Sequence, residues 1–405
     1  MPHGLVVLVL AMLLGIQPVT TDLYLPALPA LMAGFGASMT QAQLTLSALL
    51  MAFGCSQLLW GPLSDRFGRR PILLSGLAAY VAASVGATFA QTIDLLVAWR
   101  VVQGVAMGAV VVCARAIVRD LYEPAEGARV MSKGLSGLGV LACFSAPVGG
   151  VIASGFGWRY ALFALAVFGC IALALIALRF KETVAVKNPS ALRPATMVSV
   201  WRRILASPTF LAYSALSAAS YGGLFTFLAT SSFVFIQVLG LSNTSYGALM
   251  FINSLFYIFG TFLCRRWLPR FGVQKSVALA AFFTLAGGTG MGLLAYLGVG
   301  SVWAIMVPQV IFMIGHGIHQ PCSQSGAIGP FPKAAGAASA LNGFAMMVVA
   351  FAVGAYLGTH MDGTVRPLAY GVWLWSMAIA LVAWTLVRQC GGQANLPNAV
   401  AMVKP

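Results

Sequence analysis

Gly61-Pro62-Leu63-Ser64-Asp65-Arg66-Phe67-Gly68-Arg69-Arg70-Pro71 stands between two apolar runs, at 42–62 and 71–91. One acid, Asp65, sits among three arginines, Arg66, Arg69 and Arg70. Gly61, Pro62 and Gly68 predict a tight turn there. A carboxylate in that setting accepts hydrogen bonds from a helix N-terminus or an arginine, and so could latch the two halves of the chain on one face. The plainer reading is a turn with orienting charges. The pattern returns faintly: Asp65-Arg66-Phe67-Gly68 and Pro269-Arg270-Phe271-Gly272 lie 204 residues apart, near half of the 405-residue length. Each leads from a second apolar segment into a third, as a duplicated six-helix half requires.

Composition agrees. The chain is 60% hydrophobic and 8% charged, against about 25% charged in soluble proteins. So few charges cannot coat a soluble surface, and lipid is the expected solvent. A helix needs roughly 20 apolar residues to span a bilayer. Twelve spans are expected, near 5–31, 42–62, 71–91, 93–118, 130–154, 159–180, 209–238, 244–264, 275–298, 302–327, 335–360 and 367–388. The first run lacks the Lys/Arg flank of a signal peptide and reads as a span. The expectation is an all-α membrane protein of two pseudo-symmetric six-helix bundles, 1–180 and 209–388. A polar linker at 181–208, with Pro189, Pro194 and Pro208, would join them, and a tail would follow at 389–405.

The net charge of +15 would suggest nucleic acid in a soluble protein. Here the charges cluster between apolar runs, so membrane orientation explains them better. With the N-terminus inside, all but four of the 23 Lys and Arg residues fall in inner loops or the tail, Lys187 and Lys404 among them. Arg159 and Arg366 lie outside, while Arg100 and Arg115 fall within the fourth span. That asymmetry predicts cytoplasmic termini. The seven cysteines form no C-x-x-C pair and read as packing residues.

No G-x-x-x-x-G-K-[ST], H-E-x-x-H, G-x-S-x-G or G-x-G-x-x-G occurs, so an enzyme or a pump with that ATP-binding loop is not indicated. The 61–71 loop resembles the G-x-L-a-D-r-x-G-r-r signature of the major facilitator superfamily. Arg100-Val101-Val102-Gln103-Gly104 is similar to its R-x-x-Q-G motif. Ala146-Pro147-Val148-Gly149-Gly150 is similar to the end of the motif of its drug:proton antiporters. Thr21-Asp22-Leu23-Tyr24-Leu25-Pro26-Ala27-Leu28-Pro29 and Val118-Arg119-Asp120-Leu121-Tyr122 resemble the Bcr/CflA multidrug branch. The resemblance spans essentially the whole chain, more loosely in the second half. It implies a central cavity, alternating access and proton-coupled export from a bacterial cytoplasmic membrane. It brings no cofactor, and a monomer is expected. An Arg69–Asp120 relay behind Asp65 is likewise implied; a simple surface ion pair is the alternative.

Asp22 is the foremost candidate. A carboxylate deep in a span costs roughly 2.5–3.5 kcal/mol on insertion scales. It lies about 26 Å along the helix from Leu5, while Arg100 lies about 9 Å inward from Asp94. The two could share a depth and couple protons, burial and a nearby cation acting oppositely on the acid. The rival reading makes Asp22 the cap of a helix end broken by Pro26 and Pro29. Arg115, nearer the inner face, is free to snorkel.

Tyr24, Tyr221, Phe225, Asn253, Tyr257, Gln309, His319, Gln324 and Asn342 are candidate cavity residues, although each could instead pack or bond a neighbouring helix. His316 and His319 point to nearly one side of a helix. With no adjacent carboxylate, packing or proton transfer suits them better than a metal. Pro147, Gly149 and Gly150 predict a bend and a smooth sliding face. The leading function is proton-driven export of small amphipathic drugs. The alternatives are a symporter or uniporter importing a metabolite, and a membrane enzyme or channel.

Overall fold

The structure is a computed structural model that describes residues 3–122, 124–184 and 192–391. Lys187, Pro189, Lys404 and most of the 389–405 tail lie outside the described residues. No strand occurs among the residues described. The helices are α1 (His3–Asp22), α2 (Leu28–Phe35), α3 (Met39–Phe67), α4 (Arg69–Thr88), α5 (Ile93–Leu121), α6 (Pro124–Gly155) and α7 (Trp158–Arg179). They continue as α8 (Pro194–Leu205), α9 (Pro208–Ser232), α10 (Asn243–Tyr296), α11 (Val302–Ile328), α12 (Ala335–His360), α13 (Arg366–Trp384) and α14 (Leu386–Cys390). Eleven helical stretches are long and apolar enough to cross a membrane. Gly272, at φ 70°, divides the 54-residue α10 into two arms, giving twelve crossings.

Two expectations are corrected. The first span is not one helix: α1 ends at Asp22, a 3₁₀ turn follows at Leu25–Ala27, and α2 resumes at Leu28. Pro26 and Pro29 lack the N–H groups that would continue the ladder. Gly61 and Pro62 do not form the α3–α4 turn. They lie inside α3, which runs to Phe67, and Gly68 alone turns the chain at φ 107°. A membrane helix tolerates an internal proline where its neighbours shield the freed carbonyl. The 181–208 linker contains the amphipathic α8, whose Ile204 is buried while Arg202 and Arg203 stay exposed.

The halves repeat one packing scheme. In the first, α1 lies on α6, α3 on α5 and α4 on α7; in the second, α9 lies on α12, and α10 on α11 and α13. Small residues set the close approaches. A Cβ on Gly260 would strike the Ile314 carbonyl, and one on Gly288 would strike Ser376. The second and fourth crossings of each half start at a serine or threonine cap: Ser38, Thr92, Ser242 and Ser301 each accept a backbone N–H three residues on. Each cap satisfies one orphan donor where the helix emerges. The halves meet along α3–α12 and α6–α10. All seven cysteines are free thiols.

Candidate functional site

A cavity of about 440 Å³ lies between the halves, lined by α1, α3, α5 and α6 on one side and α9 to α12 on the other. That volume suits a drug-sized molecule. The face carrying the α3–α4 turn is the basic face. The cavity extends toward it, as far as Met131, Ile328 and Ser339. At the opposite end the halves close. A Cβ on Gly150 would meet the Asn243 carbonyl across the seam, while one on Gly149 would strike the Leu23 carbonyl within the first half. Gly247 packs against Pro147 in return. Thr40 Oγ1 donates to the Gly358 carbonyl at 2.7 Å, and Gln43 Nε2 to the Ala229 carbonyl at 2.6 Å. The Pro-Gly-Gly end of α6 is therefore part of a seam between halves.

Asp22 lines the closed end of the cavity and is the one acid among its described lining residues. It is half-buried, and Thr21 Oγ1 donates to its Oδ1 at 2.8 Å. It is also the last residue of α1, so the capping position and the cavity position coincide. Arg100 is not beside it. No ion pair joins them among the described residues, and Arg100 lies behind the cavity wall, fully buried. Its guanidinium stacks on the Tyr24 ring, 4.1 Å from the centroid, and Nη1 donates to Gln103 Oε1 at 2.7 Å. Nε and Nη2 have no partner. Tyr24 is drawn into that cluster, its hydroxyl 2.9 Å from Thr45 Oγ1, and does not reach the cavity.

Of the other candidates, Tyr221, Asn253, Tyr257, Gln324 and Asn342 line the cavity. Gln17 Nε2 donates to the Tyr221 hydroxyl at 3.3 Å, bridging the halves beside Asp22. Asn342 Oδ1 accepts from Ser214 Oγ at 2.9 Å. Phe225, Gln309 and His319 do not line it. Phe225 stacks on Tyr221 at 6.5 Å from its outer side. Gln309 and His319 are fully buried, and the Gln309 amide has no hydrogen-bond partner among the described residues. The histidine pair splits: His316 faces the cavity, its Nδ1 2.8 Å from Ser220 Oγ, while His319 is turned away from it.

Sequence reasoning missed Gln17, Gln57, Gln320, Met313 and Ser339, which share the wall. The signal was present as helical spacing. Gln17, Thr21 and Asp22 share one stripe of α1, and Met313, His316, Gln320 and Gln324 share one of α11.

On the basic face, buried Arg69 gathers the α3–α4 turn. Its Nη2 meets Asp65 Oδ1 at 2.7 Å, Nε meets Asp120 Oδ2 at 2.9 Å, and Nη1 donates to Ser64 Oγ at 2.6 Å. Arg70 donates to the Phe180 and Ala177 carbonyls at 2.9 and 3.0 Å, and Arg66 lies on the Phe67 ring at 5.5 Å. These partners all belong to the first half. Among the described residues the clasp thus joins α3, α4, α5 and α7, and not the two halves as expected. Glu182, just past α7, also joins it through the backbone N–H groups of Arg69 and Arg70.

The family model of the Major Facilitator Superfamily matches residues 10–355. Among curated relatives, a bicyclomycin resistance protein homolog of Haemophilus influenzae is 29% identical, over 87% of each chain. Multidrug resistance protein D of Escherichia coli is 28% identical, over 83% of this chain and 84% of its own. Multidrug resistance protein MdtL of Escherichia fergusonii is 30% identical, over 92% and 90%. The partially occluded inward open structure of the E. coli xylose transporter XylE superposes with a TM-score of 0.75 at 14% identity, covering 95% of this chain and 97% of that one. At that identity the likeness concerns the fold. With twelve crossings, two repeated halves and a cavity between them, this transmembrane chain is a transporter and not an enzyme: it belongs to the Major Facilitator Superfamily.

Proposed function

We propose that this transporter exports small amphipathic drugs in exchange for protons, by alternating access. The bundles 1–180 and 209–388 rock about the linker 181–208, in a bacterial cytoplasmic membrane with both termini, including the tail at 389–405, in the cytoplasm. The unit is a monomer. Drug resistance stands in the names of the three relatives above. The orientation follows from the basic residues gathered on one face.

One observation carries the reading: the one acid among the cavity's described lining residues stands at its closed end, where α1 breaks and Gly150 of α6 meets Asn243 across the seam. Protonation of Asp22 removes a charge that the cavity must otherwise solvate, and it does so beside the contact that must part for outward opening. A charged Asp22 favours the solvated cavity; a neutral one tolerates closure around it. The buried Arg100–Tyr24 cluster then supports the α1 break from behind and does not itself exchange the proton. Uptake of a proton from outside would drive return of the emptied protein to the cytoplasm-facing state.

The test is drug susceptibility of a pump-deficient bacterial host expressing the full chain, with and without a protonophore, beside Asp22→Asn at matched membrane abundance. Resistance should vanish with the gradient and with the substitution. Resistance retained by Asp22→Asn would refute the coupling role, and gradient-driven accumulation inside the cell would favour import.

A further inference from the structure

We infer that Arg115 selects cargo bearing an anionic group, so that the substrate class is amphipathic acids and not lipophilic cations. The inference rests on the export reading and narrows it.

Arg115 stands six residues before the end of α5, about 9 Å from the basic face. It is exposed, and what it faces is the cavity. Its Nη1 donates to Ser339 Oγ at 2.8 Å across the gap between the halves. The ion pairs among the described residues involve Asp65 and Asp120, and none reaches Arg115. Asp22, the one acid among the described wall residues, stands about 28 Å along α1 from the same face. The two charges are therefore separated by roughly 20 Å in depth and do not neutralise each other.

A guanidinium has five N–H donors in a planar fork. One bond to a neutral hydroxyl leaves most of them for cargo or water. The fork matches a planar pair of acceptor oxygens, as in an aryl carboxylate, sulfonate or ionised enol. The same end of the cavity adds Gln57 and Gln324, amides without charge, and Met131 and Ile328, which suit an apolar body. No acid among the described lining residues there rewards a cation, which must instead pass an uncompensated guanidinium on entering. Cargo and proton consequently use different charges at opposite ends, and binding of one leaves the other's group free.

The Ser339 contact also joins α5 to α12, so a pure gate role must be distinguished from selection. The experiment is gradient-driven transport by the full chain in proteoliposomes, using nalidixate, its methyl ester and tetraphenylphosphonium. The wild type should show a lower KM for the acid than for the ester. Arg115→Gln should reduce that preference about tenfold, the worth of one charge-assisted hydrogen bond. Arg115→Lys should keep part of it and so controls for folding. Ser339→Ala removes the clasp and keeps the charge, and should keep the preference.

Equal handling of acid and ester by the wild type overturns the inference, as does a preference that survives Arg115→Gln or is lost in Ser339→Ala. Transport of tetraphenylphosphonium without nalidixate overturns it and leaves the export reading intact. Transport of none of the three overturns both.

Discussion

The Glu182 carboxylate lies across the first turn of α4, where its Oε1 accepts the backbone N–H of Arg69 at 2.9 Å. Oε2 accepts that of Arg70 at 3.1 Å, and Thr183 and Val184 donate their own N–H groups to Oε1 at 2.9 and 3.1 Å. A residue beyond the last helix of the first half thus caps its third crossing, and the chain leaves toward the linker from the clasp itself.

Partial burial pushes the Glu182 carboxyl up, but the four backbone donors outweigh it and hold it below its ordinary 4.5. A carboxyl depressed in the folded state contributes stability that is present above 4.5 and lost as pH falls through the lower folded value. Thermal unfolding of the purified protein across pH 3 to 7 should therefore show an acid slope to which Glu182 contributes. Glu182→Gln puts an amide NH₂ against a backbone donor. It should cost about 0.5–2 kcal/mol at neutral pH, the range for a helix cap, and flatten part of that slope. Identical acid slopes in variant and wild type would show that the cap carries no linkage.

Arg69 holds two carboxylates of unequal burial, with Asp120 at 15% and Asp65 at 41% side-chain exposure. Asp120 also accepts from Thr183 Oγ1 at 3.3 Å. Breaking a fully buried pair costs about 3–5 kcal/mol, while exposed pairs are worth about 0–1 kcal/mol. Asp120→Asn should accordingly destabilise by about 2 kcal/mol and Asp65→Asn by about 1 kcal/mol or less. Denaturation midpoints in one detergent give the order directly; the reverse order would place the main tie of Arg69 in α3 and not in α5.

Much of this fold was legible because lipid imposes a simple rule: every crossing must be long, apolar and helical. The basic residues at 66–70 and 265–275 marked the same face for the same reason. The breaks were less legible. Pro26, Pro62 and Pro147 carry identical local signals, yet only the first ends a helix, because neighbouring helices decide whether a freed carbonyl is shielded. In the site, Asp22 and the amides were visible as rare polar groups among apolar ones. The separation of Arg100 from Asp22 was not, since depth along two helices fixes height and says nothing of which way each side chain turns. Arg115 was placed near the inner face by counting, but its partner across the cavity, Ser339, lies 224 residues away. Glu182 escaped notice because its partners are backbone N–H groups, which leave no mark in a sequence.

The faint repeat noticed between Gly68 and Gly272 is a repeat of backbone, and it supports a quantitative comparison. Both glycines adopt positive φ with extended ψ, 107° and 159° at Gly68, 70° and 174° at Gly272. Each joins the second crossing of its half to the third. Side chains other than glycine's are strained there by about 1–3 kcal/mol, so both Gly68→Ala and Gly272→Ala should destabilise. Their surroundings differ. A Cβ at Gly272 meets open space, whereas one at Gly68 strikes the Glu182 carboxylate. Gly68→Ala should therefore cost about 1 kcal/mol more, the worth of the displaced cap. That surplus should disappear when Glu182 is already replaced by Ala, which a double-mutant cycle on unfolding midpoints measures as non-additivity. Equal costs at the two glycines, with additive effects in the cycle, would mean that the Glu182 side chain yields freely. The tie between the end of α7 and the start of α4 would then be a contact without energetic content, and the two turns would be equivalent in strength as well as in shape.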